Sequence, residues 1–321
     1  MFLRIFALAF AALTALPAAA QTFTFAAIGD TPYFLPGDHE RLARVIAEIN
    51  RRAPAFTIHV GDIKSGSTRC DDAVFERVQL HFAAFEQPLI YTPGDNEWTD
   101  CHRANNGGYD PIERLATIRR MFFRDDFSLG RTRLPVVRQG ADPRFARFVE
   151  NFRWVHNNVV FVTLHVIGSS NNLQRNRAAI EEYIERNEAN LAWLRAAFAE
   201  AAAQNRAAVV IAMQADMDFD QAPDRRPGFN DTLAALQEGT IAFGRPVLLI
   251  HGDSHYFRVD QPMQGGVSRR LVDNFTRLEV YGERDVHAVL VTVDPADATS
   301  PWSFRPMLVR ENFTDQRRPP N

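Results

Sequence analysis

Judged from its residues alone, this chain is an α/β protein whose mixed sheet divides into two packed layers. Three observations lead there. Short apolar runs alternate with amphipathic segments along most of the chain, a pattern that calls for sheet covered by helix. The N-terminal third reads strand–helix–strand–helix–strand, which requires parallel neighbours joined by crossover helices. The middle and the end are richer in strand-like runs, including one tight hairpin, and so add antiparallel strands to the parallel set.

In order, Phe23–Ile28 is expected as the first strand. Asp38 is expected to cap a helix carrying Leu42, Val45, Ile46 and Ile49 at helical spacing. Residues 56–60 form a second strand, and after Asp71 and Asp72 comes a helix with Phe75, Val78, Phe82 and Phe85 on one face. Residues 89–92 are the third strand. Runs 148–156 and 159–166 flank Asn157-Asn158, a hairpin signal. A long helix over about 173–204 follows, its apolar stripe drawn from Ile180, Tyr183, Ile184, Leu191, Leu194 and Phe198. Then come a strand at 208–213, a helix Asn230–Phe243, a strand at 247–250, and three further strands at 276–281, 286–293 and 302–309. No repeat, low-complexity tract or linker divides the chain, so residues 21–321 are expected to form a single domain, with 313–321 a frayed tail.

Bulk properties narrow the functions. A net charge of −3 over 321 residues, with no run of Lys or Arg, gives no reason to expect nucleic acid or an anionic membrane surface as partner. Residues 1–20 have a charged start, a short apolar middle and Ala18-Ala19-Ala20 before Gln21, the layout of a secretory signal cleaved after Ala20. The apolar stretch is short for a membrane span, and no later segment is apolar enough to insert. The mature chain is therefore expected in the periplasm or secreted. Cys70 and Cys101 are the only cysteines, and an oxidising compartment favours a disulfide between them.

Polar residues gather where the expected strands end. The first runs into Gly29-Asp30, the second into Gly61-Asp62, and the third into Gly94-Asp95-Asn96-Glu97. The run at 208–213 ends at Gln214, and the one at 247–250 at His251-Gly252-Asp253-Ser254-His255. Ligands of open α/β sheets bind at the carboxyl ends of parallel strands. One Gly-Asp is most often a turn. Several carboxylates delivered to one place repel each other unless cations neutralise them, and oxygen donors with one imidazole suit divalent metals.

Those blocks, in that order and spacing, resemble the calcineurin-like metallophosphoesterases over about residues 23–310. The resemblance implies a four-layer α/β/β/α sandwich with two mixed sheets, and a two-metal site that activates water against phosphorus. Matched position by position, it implies Asp30, Asp62 and His255 as ligands of one metal. Asp62 would bridge to a second, which Asp95, Gln214 and Asp253 would complete. Pro32 stands where the first block usually has histidine, and Tyr33 follows as a candidate substrate contact. Asn96 holds the catalytic position usually taken by a histidine that helps protonate the leaving oxygen; an amide cannot do that. Gln214 and Asp253 also stand at usual histidine positions.

The altered set shifts metal preference from zinc towards Mn²⁺ or Mg²⁺, with Zn²⁺, Fe or Ca²⁺ still able to bind. His102, just after the third block, is a substitute acid or a plain surface histidine. Tyr256 is a candidate stacking contact for an organic substituent. His251 is as suited to support a ligand as to pack, and Asp216 and Asp218 lie in a loop that could reach substrate. The expected activity is metal-dependent hydrolysis of a small-molecule phosphate mono- or diester. The alternatives are a catalytically degenerate relative that binds metal or a phosphate ligand without turnover, and a metal-free hydrolase using paired carboxylates. Neither a Gly-rich phosphate loop nor a Gly-x-Ser-x-Gly elbow is present.

Overall fold

The apolar run Phe23–Ile28 is a strand with five of its six positions buried, which places it at the centre of a sheet. In the computed structural model, which describes residues 21–265 and 270–313, two large sheets form around it and its counterparts. The expected leader, residues 1–20, and residues 314–321 of the expected tail lie outside the described residues. The first sheet has the order Trp302–Met307, Ala288–Val293, Phe23–Ile28, Thr57–His59, Leu89–Tyr91. The last three strands are parallel, and the first two are antiparallel to their neighbours. The second sheet runs Val137–Arg138, Phe152–His156, Val159–Thr163, Ala208–Ala212, Val247–His251, Phe275–Glu279, Arg258–Asp260. Its four strands from Val159–Thr163 to Phe275–Glu279 are parallel.

The two sheets face each other across an aromatic core. Phe25 and Phe56 at the first sheet meet Trp154 and Phe161 of the second, with Phe56 edge-on to Phe161 at 5.0 Å and Trp154 stacked on it at 5.0 Å. Alternation along the strands then sends Val160 and Val162 to the opposite face, where Trp193, Leu194, Phe198 and Leu236 cover them. Helices Arg177–Ala203 and Asn230–Phe243 therefore form the layer outside the second sheet. Helices Gly37–Arg52, Asp72–Phe82 and Pro111–Phe122 pack their apolar faces on the first. The result is four layers, α/β/β/α.

Several expectations need correction. Asp38 does not cap its helix, which begins at Gly37; its Oδ2 instead accepts the N–H groups of Tyr33 and Phe34 at 2.9 and 2.7 Å. Ile180 and Ile184 are 39% and 57% exposed, so the stripe on the long helix is rotated. The reason is a buried charge pair: Arg186, fully buried, bonds Glu182 and takes the inward positions that an apolar stripe would fill. Phe85 is buried but lies past the end of its helix. Helix Pro111–Phe122 has no counterpart among the expected elements. Its signal is Asp110-Pro111, since Asp110 accepts the Ile112 N–H at 2.9 Å and proline fits the first turn. The hairpin forms as expected, with Asn157 and Asn158 at φ 44° and 66°. Cys70 and Cys101 are joined, their Cα atoms 5.7 Å apart.

Candidate active site

Three parallel strands, Phe23–Ile28, Thr57–His59 and Val247–His251, hand the chain to tight turns in which an aspartate takes the left-handed position. Asp30, Asp62 and Asp253 have φ of 51°, 56° and 78°, and His255 has 67°. Aspartate tolerates this left-handed region better than most side chains, at a cost of roughly 1 kcal/mol. The adjoining glycines supply clearance rather than turn geometry alone. A Cβ on Gly94 would collide with Asp62 Oδ1, and one on Gly252 with Asp30 Oδ2. On Gly168, just beyond the second-sheet strand Val159–Thr163, a Cβ would sit 2.7 Å from Asp253 Oδ1 and 3.0 Å from Asp95 Oδ1. Carboxylates thus lie directly over bare backbone.

The contacts join the edges of both sheets. Asp30 Oδ1 accepts the Asp253 N–H at 3.1 Å and lies 3.7 Å from His255 Nε2. Asp62 Oδ2 accepts the Tyr33 hydroxyl at 2.8 Å, Asn96 Nδ2 at 2.7 Å and Gln214 Nε2 at 3.3 Å; its Oδ1 accepts the Asn96 N–H at 3.1 Å. Asp95 Oδ2 accepts Ser169 Oγ at 2.6 Å, and Asp253 Oδ2 accepts the Asp216 N–H at 3.0 Å. The Tyr33 ring stands edge-on to His255 at 5.3 Å.

Electrostatics make the crowding explicit. Burial, then the charge of Asp253, holds the Asp30 carboxyl well above its ordinary range. Burial, then Asp95, does the same to Asp62, and burial, then Asp95, to Asp253. The buried Lys64 ammonium lies behind them, bonded to the Asn96 carbonyl at 2.5 Å and lowered by its own burial to about 8. One ammonium does not balance four carboxylates. Oxygen donors with one imidazole are the donor types of a hard divalent cation, but no three of their ligand atoms come within 4.8 Å of one another.

The remaining expected residues fall in different places. Tyr33 and Asn96 are buried within the cluster, whereas His102 is exposed on a short turn with Nδ1 2.6 Å from the Thr99 carbonyl. Tyr256 is 75% exposed, and its N–H bonds Glu279 Oε1 at 3.0 Å. Ser169 and Lys64 were not among the residues singled out from sequence. A second acidic group adjoins the first: Asp216, His251 and Glu279 place ligand atoms within 4.8 Å of one another, the one such trio of metal-type side chains among the described residues. Arg258 bonds Asp216 at 2.9 Å and Glu279 at 2.6 Å, and Arg277 lies 3.6 Å from Asp216, so guanidinium groups already neutralise it.

No family model matches the chain, and no curated protein matches it significantly. Solved structures do. A dimetal phosphatase from Danio rerio superposes with a TM-score of 0.53 at 13% identity, covering 89% of this chain and 98% of that one. PhoD superposes with a TM-score of 0.51 at 11% identity, covering 91% of this chain and 70% of the other. At these identities the likeness speaks for the fold.

Proposed function

We infer that this chain, which has a calcineurin-like metallophosphoesterase fold, is a hydrolase of phosphate esters that depends on divalent cations. The observation that carries the reading is the meeting of Asp30, Asp62, Asp95 and Asp253, from both sheets, at one edge, with three of them pushed up by burial and by their neighbours. Asp30, Asp95, Asp253 and His255, with Asp62 beside them, are the residues that would hold the cations. When bound there, such ions lower the pKa of water and neutralise charge growing on phosphate oxygens.

The chain's own groups have separate tasks. Ser169 fixes one oxygen of Asp95, which leaves its other oxygen on offer in a set direction, while the Asp216 N–H and the Gln214 side chain orient Asp253. Asn96 and Gln214 donate and hold no acidic proton to release. Proton delivery to a leaving oxygen then falls to water or to His102, whose Nε2 is the nitrogen left for it once Nδ1 faces the Thr99 carbonyl. Tyr256, exposed and next in sequence to His255, is the candidate contact for an organic substituent. The Cys70–Cys101 bond and the N-terminal pattern support an exported protein working on small-molecule esters. No helix among the described residues is long and apolar enough to cross a membrane.

The test is to assay the purified mature chain on aryl phosphate mono- and diesters with and without chelator, alongside Asp30→Ala. Chelation is expected to abolish turnover, and the substitution to lower kcat/KM by roughly 10²-fold or more. Turnover indifferent to chelator would sink the reading. Stoichiometric metal without turnover on a broad ester panel would mark a binding protein of the same fold.

A further inference from the structure

The loop from Gly252 to Tyr256 carries Asp253 and His255 in left-handed conformations, which a chain keeps only where its surroundings hold it. Two different acids hold its two ends. At the near end the Asp216 N–H bonds Asp253 Oδ2 at 3.0 Å, and Ser254 Oγ bonds Asp216 Oδ2 at 2.9 Å. At the far end the Tyr256 N–H bonds Glu279 Oε1 at 3.0 Å. His251, which leads into the loop, has Nδ1 2.8 Å from the Gly252 carbonyl.

One nitrogen joins the two holds. Arg258 Nη2 bonds Asp216 Oδ2 at 2.9 Å and Glu279 Oε2 at 2.6 Å. Strand register brings it there: His251 pairs with Glu279 and Glu279 with Arg258, so the three stand in one row and share a face of the sheet. The Glu279 side chain is fully buried and that of Asp216 is 13% exposed, so water and salt screen these charge-assisted bonds little. Arg277 also stands 3.6 Å from Asp216, but it commits its fork to Asp260 at 2.8 and 2.6 Å. The close approach of Asp216 to Glu279 thus has a cause. A guanidinium nitrogen lies between them.

We propose that Arg258 is a positioning residue for the reaction: acting through Asp216 and Glu279, it braces the loop and so aims Asp253 and His255 at the acidic pocket. The inference rests on the phosphoesterase reading above and adds to it a residue that works from behind the site.

The test compares Arg258→Ala, Arg258→Lys and Glu279→Gln with the unaltered chain on an aryl phosphate. The His255 ring is followed in parallel by nuclear magnetic resonance, its signal assigned through His255→Gln. Arg258→Ala should lower kcat by about 10- to 100-fold, the usual cost of losing an orienting partner, with KM nearly unchanged and the His255 signal displaced. Millimolar guanidinium ion should restore a measurable share of the rate and move that signal back. Arg258→Lys, which keeps the charge but ends short of Nη2, should fall between. Glu279→Gln should cost about as much as Arg258→Ala, and the double variant no more than the larger single loss, since both changes break one brace. An unchanged kcat and an unmoved His255 signal in folded Arg258→Ala would overturn the proposal, as would losses that simply add in the double variant. If Arg258→Ala does not fold, Arg258→Lys and Glu279→Gln decide by the same criteria. No turnover by the unaltered chain would sink the phosphoesterase reading alone, and the His255 signal would still decide the brace.

Discussion

Gly168 shows how closely the site is set by single atoms. Its Cα lies beneath two carboxylate oxygens, so Gly168→Ala would insert a methyl group 2.7 Å from Asp253 Oδ1 and 3.0 Å from Asp95 Oδ1. Both acids must then swing aside. A displacement of about 1 Å at reacting groups costs roughly 10²-fold in rate. We expect Gly168→Ala to lower kcat/KM on an aryl phosphate by that order while the melting temperature moves by only a few degrees, checked by kinetics and scanning calorimetry. Near-normal kinetics would show that the two acids need not hold these places. The acids themselves were legible in the sequence, because Gly-Asp at the end of an apolar run states both the turn and the charge. Ser169 and the orientation of Gln214 were not, since each depends on where the Gly168 backbone lies in space.

That backbone belongs to an unusual segment. Ser169, Ser170, Asn171 and Asn172 all have positive φ, between 50° and 64°, one left-handed turn of non-glycine residues. Such residues cost roughly 1 kcal/mol or more each and persist only where the surroundings hold them. Here Arg186 Nη1 bonds Asn171 Oδ1 at 2.5 Å and Nη2 bonds the Asn171 carbonyl at 3.1 Å, while Asn172 Nδ2 bonds Glu182 at 2.9 Å. Arg186→Ala should therefore release the turn as well as strand Glu182. The expected loss is about 3–5 kcal/mol by urea denaturation, the usual result of breaking a buried pair. A loss below 1 kcal/mol would show that the turn stands without its clamp. The disulfide acts on the neighbouring loops: with a separation of 31 residues, Cys70→Ser with Cys101→Ser should cost about 3–4 kcal/mol by the same measurement. The strands and the helix Asn230–Phe243 were readable because short apolar runs admit one burial. The long helix was misphased because Glu182 and Arg186 look like solvent-facing charges until the turn they support is known.

At the scale of the molecule, buried histidines link stability to pH. His59, fully buried in the first sheet, is lowered by burial to about 3. The unfolded chain takes up a proton near pH 6.5 that the folded chain refuses, so the contribution of His59 to stability falls as pH drops from about 6.5 towards 3, opposite in sign to that of the raised Asp30, Asp62 and Asp253. The slope is about 1.4 kcal/mol per pH unit, or roughly 2 kcal/mol lost by pH 5. Comparing urea denaturation at pH 7 and pH 5, His59→Asn should lower the stability at pH 7 minus that at pH 5 by about that amount. An unchanged difference would mean that His59 accepts its proton in the folded state.

The two halves of the cluster arrive on different sheets, Asp30, Asp62 and Asp95 on one and Gln214, Asp253 and His255 on the other. Whatever charge enters between them acts on the seam as well as on a ligand. Left bare, like charges wedge the sandwich open along that rim; once neutralised, the same groups rivet it shut. A cation that binds there would thus draw the two layers together as it neutralises the acids, so its removal should loosen the rim.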